Sequence, residues 1–195
     1  MGGERFLNPA NFLAHSNVKN GLQYKHNFLV TLSSLPPLLN NENVSTEDLS
    51  WNAIDVSVPG ISLGIGSNQV AGRPRYFTQE RQDQDLSITF LDNTNMEIRR
   101  FFEEWMALAF NPYIKLRKYP SEYQAPELNV NTMNQFGKLT YMDCFLDVFP
   151  YLIDDLDFSR NQYEIIKTKV TFKYRVHVID SAAESNRSVQ SKVIK

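Results

Sequence analysis

The sequence predicts a mainly β fold with a minor α component: an antiparallel β-sandwich or partly rolled barrel with one flanking α-helix. Three observations carry this. Apolar and polar residues alternate in one segment after another, which is the period of a half-buried strand. A single stretch, about residues 96–110, follows helical spacing instead. Turn-forming pairs such as Pro36-Pro37, Pro59-Gly60 and Asn111-Pro112 punctuate the chain between these segments.

Residues 1–22 are rich in Asn, Gly and Ser and follow neither period, so they read as an N-terminal arm. A β domain is expected over 23–180. In its first strand, 24–32, His26, Phe28, Val30 and Leu32 share one face, and a polar loop then runs from 40 to 48. The second strand sets Ile54, Val56 and Val58 against Ala53, Asp55 and Ser57, and Pro59-Gly60 ends it in a turn. Between 61 and 75, Gly64, Gly66 and Gly72 loosen a strand-like stretch, which suggests a hairpin or a long loop before the polar link 79–85.

Leu86, Ile88 and Phe90 then alternate with Ser87 and Thr89. In the helix that follows, Ile98, Phe101, Phe102, Trp105 and Leu108 form the apolar face, with Asn95 or Thr94 as the expected cap. On its other face Arg99 with Glu103, and Arg100 with Glu104, are four apart and able to pair, each pair contributing about 0.3–0.5 kcal/mol. Residues 111–137 carry three prolines and several Asn and Gln, and read as a loop insertion. Two closing strands follow, 138–149 and 164–179. In the second, Ile166, Val170, Phe172, Tyr174, Val176 and Val178 line one face, and Lys167, Lys169, Thr171, Lys173, Arg175 and His177 the other. Residues 181–195 read as a flexible C-terminal tail.

At 195 residues with 42% hydrophobic content, the chain is long enough to bury a core. Its apolar runs are far shorter than a membrane helix requires, and no basic-then-apolar leader is present, so neither a membrane span nor a secretion signal is expected. The net charge of −2 disfavours a protein devoted to binding nucleic acid. The lone Cys144 rules out an intrachain disulfide, and its apolar strand face predicts a buried, inert thiol. Aromatics at 12% exceed what a core of this size needs, which points to contacts between chains.

The search for chemistry yields no catalytic residues, no metal site and no cofactor. His15, His26 and His177 lie far apart, without HExxH or His-x-His spacing. Asp154, Asp155 and Asp157 lack the glycine and terminal Glu of a calcium loop and read as a solvated turn. Gly64 and Gly66 lack the third glycine and following helix of a phosphate loop. The basic row on the last strand reads as a solubilising face rather than a nucleic-acid site.

The order of elements resembles the tail tube proteins of contractile-tailed bacteriophages. It runs arm, strand, strand ending in Val58-Pro59-Gly60, Gly-containing hairpin, Val70-Ala71-Gly72, polar link, strand, helix and two closing strands, over roughly residues 24–180. The resemblance implies a structural virion protein of the phage tail, assembled in the host cytoplasm. Hexameric rings would stack into a tube that meets sheath, baseplate and terminator proteins, and double-stranded DNA would pass through it without specific binding. It makes Val58, Pro59, Gly60, Gly64, Gly66, Val70, Gly72, Arg73 and Arg75 candidates for subunit contacts. Glu97, Arg99, Arg100, Glu103 and Glu104 become candidates for sheath contact, and Lys167, Lys169, Lys173, Arg175 and His177 form a polar strand face. If that face lines the channel, carboxylates such as Asp143 and Asp147 should offset its charge, because unpaired cations would grip a duplex. The alternatives are a tube protein of a related contractile injection or secretion system and, from another class, a ligand-binding β-sandwich module.

Overall fold

The computed structural model describes residues 25–39, 44–70, 72–111, 116–134, 136–159 and 164–181. Nearly all of the expected N-terminal arm and C-terminal tail, 1–22 and 181–195, lies outside these. Among the described residues the chain runs β1 (Phe28–Leu32), α1 (Thr46–Asn52), β2 (Ala53–Ser57), β3 (Ile61–Val70), β4 (Arg73–Asp83), β5 (Leu86–Leu91), α2 (Glu97–Ala109), α3 (Pro120–Tyr123), β6 (Ala125–Met133), β7 (Leu139–Ile153), β8 (Lys167–Lys173) and β9 (Val176–Ser181). One antiparallel sheet follows the path β1-β6-β7-β8-β5-β2, with β9 also on β7, while β3 and β4 form a separate two-stranded ribbon. The fold is therefore mainly β with α2 flanking the sheet, as expected.

The sheet is folded over on itself because β7 serves two sets of partners. Its first part pairs with β6 and β9, and Phe149 to Ile153 pair with β8. The change of partner falls at Asp147, whose φ of 54° lies in the left-handed region that Asp tolerates better than most residues. Opposite it, the chain breaks between β8 and β9 at Tyr174 and Arg175, where the Arg175 amide bonds the Leu146 carbonyl at 2.9 Å. The continuous strand expected over 164–179 is thus two strands with a kink, and the alternation changes face across it. His177 is consequently buried rather than on the polar row.

Both halves of the sheet and α2 share one core. Val30, Leu32, Leu128, Val130 and Phe145 meet Leu86, Ile88, Phe90, Val170 and Phe172, and Ile98, Phe101, Phe102 and Trp105 close over them. The helical residues recur at i, i+3, i+4 and i+7, one stripe of the helix, and each fully buried side chain contributes about 1.5–3 kcal/mol. Phe102 is central, with ring centroids 5.1 Å from Phe90 and 5.8 Å from Phe172. Trp105 Nε1 donates to the Tyr123 carbonyl at 2.6 Å, which ties α3 to α2.

Several local expectations change. Residues 25–27 precede β1 as a turn, and the link 79–85 is largely the end of β4. Residues 111–137 are not simply a loop insertion, since they contain α3 and β6, a strand in the middle of the sheet path. The polar stretch before Trp51 contains α1, started by a capping box in which Ser45 Oγ accepts from the Asp48 amide and Asp48 accepts from the Ser45 amide. A register shift between Ala53 and Asp55 leaves Ala53 and Val56 against the core and Ile54 exposed. Neither Asn95 nor Thr94 caps α2. Asp92 instead accepts from the amides of Ile98 and Arg99, and Asn93 accepts from that of Glu97.

Candidate assembly surfaces

The β3–β4 ribbon runs in register from Ile61↔Asp83 to Val70↔Arg73, with a bulge between Leu63 and Ile65. Its turn uses Gly72 at φ 77°, a conformation glycine adopts without strain. Among the described residues, no other element packs substantially against either strand. One face presents Ile61, Leu63, Ile65 and Tyr76, with 47%, 54%, 70% and 73% of their surfaces exposed. On the other face the Phe77 ring lies across Gly66, where an added Cβ would sit 2.5 Å from the ring. The expected contact residues thus fall along one projecting unit: Val58, buried Pro59 and Gly60 lead into it, Gly64 and Gly66 lie in β3, and Val70, Gly72, Arg73 and Arg75 stand at its tip. An isolated two-stranded ribbon is marginal in water, and this one exposes a row of large apolar side chains among the described residues.

The outer face of α2 is narrower than expected. Arg100, Glu103 and Glu104 are exposed, but Glu97 and Arg99 are half-buried. The Glu97 carboxylate accepts from the side chains of Asn93 and Asn95. Arg99 pairs with Glu103 at 2.9 Å and donates to the Asp154 carbonyl at 3.2 Å.

The sheet face opposite α2 carries the basic row, and most of it is paired. Lys169 meets Asp154 at 3.2 Å, Lys173 pairs with Asp85, and Arg175 pairs with Asp147. Asp147 is one of the two carboxylates expected to do this. The other, Asp143, is buried and accepts from Tyr141 Oη at 3.2 Å while lying 2.8 Å from His177 Nε2. Phe145 stacks on the His177 ring at 4.5 Å. Asp85 also accepts from Tyr151 Oη. Partial burial pushes the Asp85 carboxyl up, yet the bonds from Lys173 and Tyr151 outweigh it and hold the group below its ordinary range. The bond to Asp85 raises both Lys173 and Tyr151. Burial, reinforced by Asp83, pushes the Tyr174 hydroxyl up to about 12.

β1 and β2 end the sheet path, and a cleft of about 380 Å³ separates them, lined by Phe28, Asp55, Val56, Val58 and Val130. Among the described residues the sheet therefore does not close into a barrel. A void of about 10 Å³ beside Trp105 and Phe172 is apolar and too small for a ligand. Among the described residues, no group of three or more His, Cys, Asp or Glu is placed to hold a metal ion, and no helix is long and apolar enough to cross a membrane.

A family model described as phage tail tube protein matches residues 21–180. No curated protein matches the sequence. Among solved structures, a chain of the anti-feeding prophage baseplate, 6-fold symmetrised, is similar with a TM-score of 0.58 and 11% identity, over 82% of this chain and 96% of that one. A chain from the sheath–tube complex of an extracellular contractile injection system, PVC, in its extended state gives 0.57 and 11%, over 90% and 99%. One from the tube-terminating cap of the anti-feeding prophage gives 0.56 and 16%, over 83% and 95%. At these identities the likeness is one of fold.

Proposed function

Because the chain belongs to the phage tail tube protein family, a family of tube-forming structural proteins and not of enzymes, we propose that its copies close into hexameric rings that stack into the hollow tube of a contractile injection machine. The observation that carries this reading is the β3–β4 ribbon, an apolar unit left uncovered among the described residues, which a neighbouring subunit would bury. The separated edges β1 and β2 support it, since unpaired strand edges are hazards unless another chain takes them up. Residues from Val58 to Arg75, with Gly64 and Gly66, would make the subunit contacts. Arg100, Glu103 and Glu104 on α2 would face a sheath, where charge sets register more than affinity. Terminator and baseplate proteins would meet the tube ends, as the similar chains come from such assemblies.

A phage tail that passes double-stranded DNA is the more specific reading, and one observation favours it. The face opposite α2 carries most of its basic groups, Lys169, Lys173 and Arg175, paired with carboxylates, as a wall that must not hold a duplex would need. Sedimentation across a wide concentration range, with negative-stain imaging of concentrated protein, tests the assembly. Rings or polymers are expected, and a monomer at every concentration would overturn the proposal.

A further inference from the structure

We infer that Arg81, Asp85, Tyr151, Lys173 and Tyr174 form a clamp that fixes the direction in which the β3–β4 ribbon projects, so that it meets its neighbour already oriented. The inference rests on the reading of the ribbon as a subunit contact. Between the last ribbon residue, Asp83, and the fully buried Leu86 only Gln84 and Asp85 intervene. A ribbon without packing on its faces would swing about such a link. Its root is instead held at several points. Tyr174 Oη donates to the Gln84 carbonyl at 2.6 Å. Lys173 and Tyr151 occupy separate oxygens of the Asp85 carboxylate. Arg81 pairs with Asp83 at 2.5 Å and reaches the His177 carbonyl at 3.4 Å.

All of these partners except Asp83 belong to β7 or to residues 173–177 around the β8–β9 kink, so the bend of the sheet sets the heading of the ribbon. Most of them are at the surface, where ion pairs add little to global stability. Their effect is therefore on orientation: a contact that is ordered beforehand loses less freedom when the partner binds.

The test uses the full chain with Cys144 replaced by Ala and spin labels at Ser67→Cys on the ribbon and Ala107→Cys on α2. Distances are measured in dilute subunit, and assembly rate in concentrated protein. The unclamped variants are Asp85→Asn with Tyr174→Phe, and Lys173→Arg is the conservative control. The expected result is a broadened distance distribution, an unchanged melting temperature and assembly slowed by about tenfold, with Lys173→Arg behaving as wild type. An unchanged distribution would overturn the clamp. A broadened distribution with an unchanged assembly rate would instead overturn the ribbon as the subunit contact.

Discussion

Gly66 is the position where one added carbon should separate folding from assembly. A Cβ there would sit 2.5 Å from the Phe77 ring, and at Gly64 it would sit 3.3 Å from the Glu80 carbonyl oxygen. Gly66→Val must displace Phe77 and reshape one face of the ribbon while leaving the core untouched. Polymerisation followed by light scattering should fall sharply, while the denaturation midpoint shifts by no more than about 0.5 kcal/mol. His177 acts in the opposite sense. Replacing it by Leu strands Asp143 in the interior with Tyr141 as its remaining hydrogen-bond partner, at a cost of about 2–3 kcal/mol in urea denaturation. Adding Asp143→Leu should restore most of that loss, and a single variant as stable as wild type would show that the pair is not coupled. Gly66 was legible in the sequence because a glycine among β-forming residues marks close approach. His177 was not, because its parity matches Lys173 and only the kink at Tyr174 and Arg175, a feature of pairing with β7, turns it inward.

The helix α2 shows which signals carry at the scale of an element. Its apolar spacing located it to within a residue, since Phe101, Phe102 and Trp105 leave no other period. Its cap went elsewhere because the N-terminal residue Met96 adopts φ 53°, which leaves the first amides to the side chains of Asp92 and Asn93. Asp92 accepts from three backbone amides, those of Asn93, Ile98 and Arg99, and from the Thr168 hydroxyl at 3.0 Å, so it joins α2 to β8. Asp92→Ala should cost about 2 kcal/mol, the upper part of the range for a lost cap, and Asn95→Ala well under half of that. Thermal melts of the two variants make the comparison, and equal losses would contradict the assignment. The capping box of α1, Ser45 with Asp48, was present in the sequence but lay in a stretch with too few apolar residues to show a period. The strand β6 was obscured in the same way: Pro126 and its Asn residues read as loop, yet Ala125, Leu128 and Val130 are buried between β1 and β7.

At the scale of the whole molecule, the face opposite α2 is balanced by carboxylates drawn from three places: Asp85 before β5, Asp147 at the bend of β7 and Asp154 just beyond it. The sequence offered the basic row and Asp147 among its partners but not Asp85 or Asp154, which come beside Lys173 and Lys169 only because β7 changes neighbours. The pairing also has a defined pH range. Asp85 is held below its ordinary 3.8 and Lys173 above its ordinary 10.5, so their mutual contribution is complete through the neutral range. It is lost as pH falls through the depressed pKa of Asp85, or rises through the raised pKa of Lys173. Each pair is exposed and adds at most about 1 kcal/mol to stability, so its larger consequence is the charge it hides. Replacing Asp85, Asp147 and Asp154 together by Asn would leave Lys169, Lys173 and Arg175 unpaired on one face, and assembled rings would repeat them along a tube. If that face lines the channel, each phosphate contact adds roughly −0.9 to the slope of log affinity against log salt. Fluorescence anisotropy with a short duplex at neutral pH should therefore detect no binding by wild-type subunits and salt-sensitive binding by the triple variant. Tubes of the variant should also retain DNA at low salt and release it as salt is raised. A triple variant as indifferent to the duplex as wild type would mean that the carboxylates serve only to hold the bend, and would overturn the proposal that this face is balanced so as not to hold DNA.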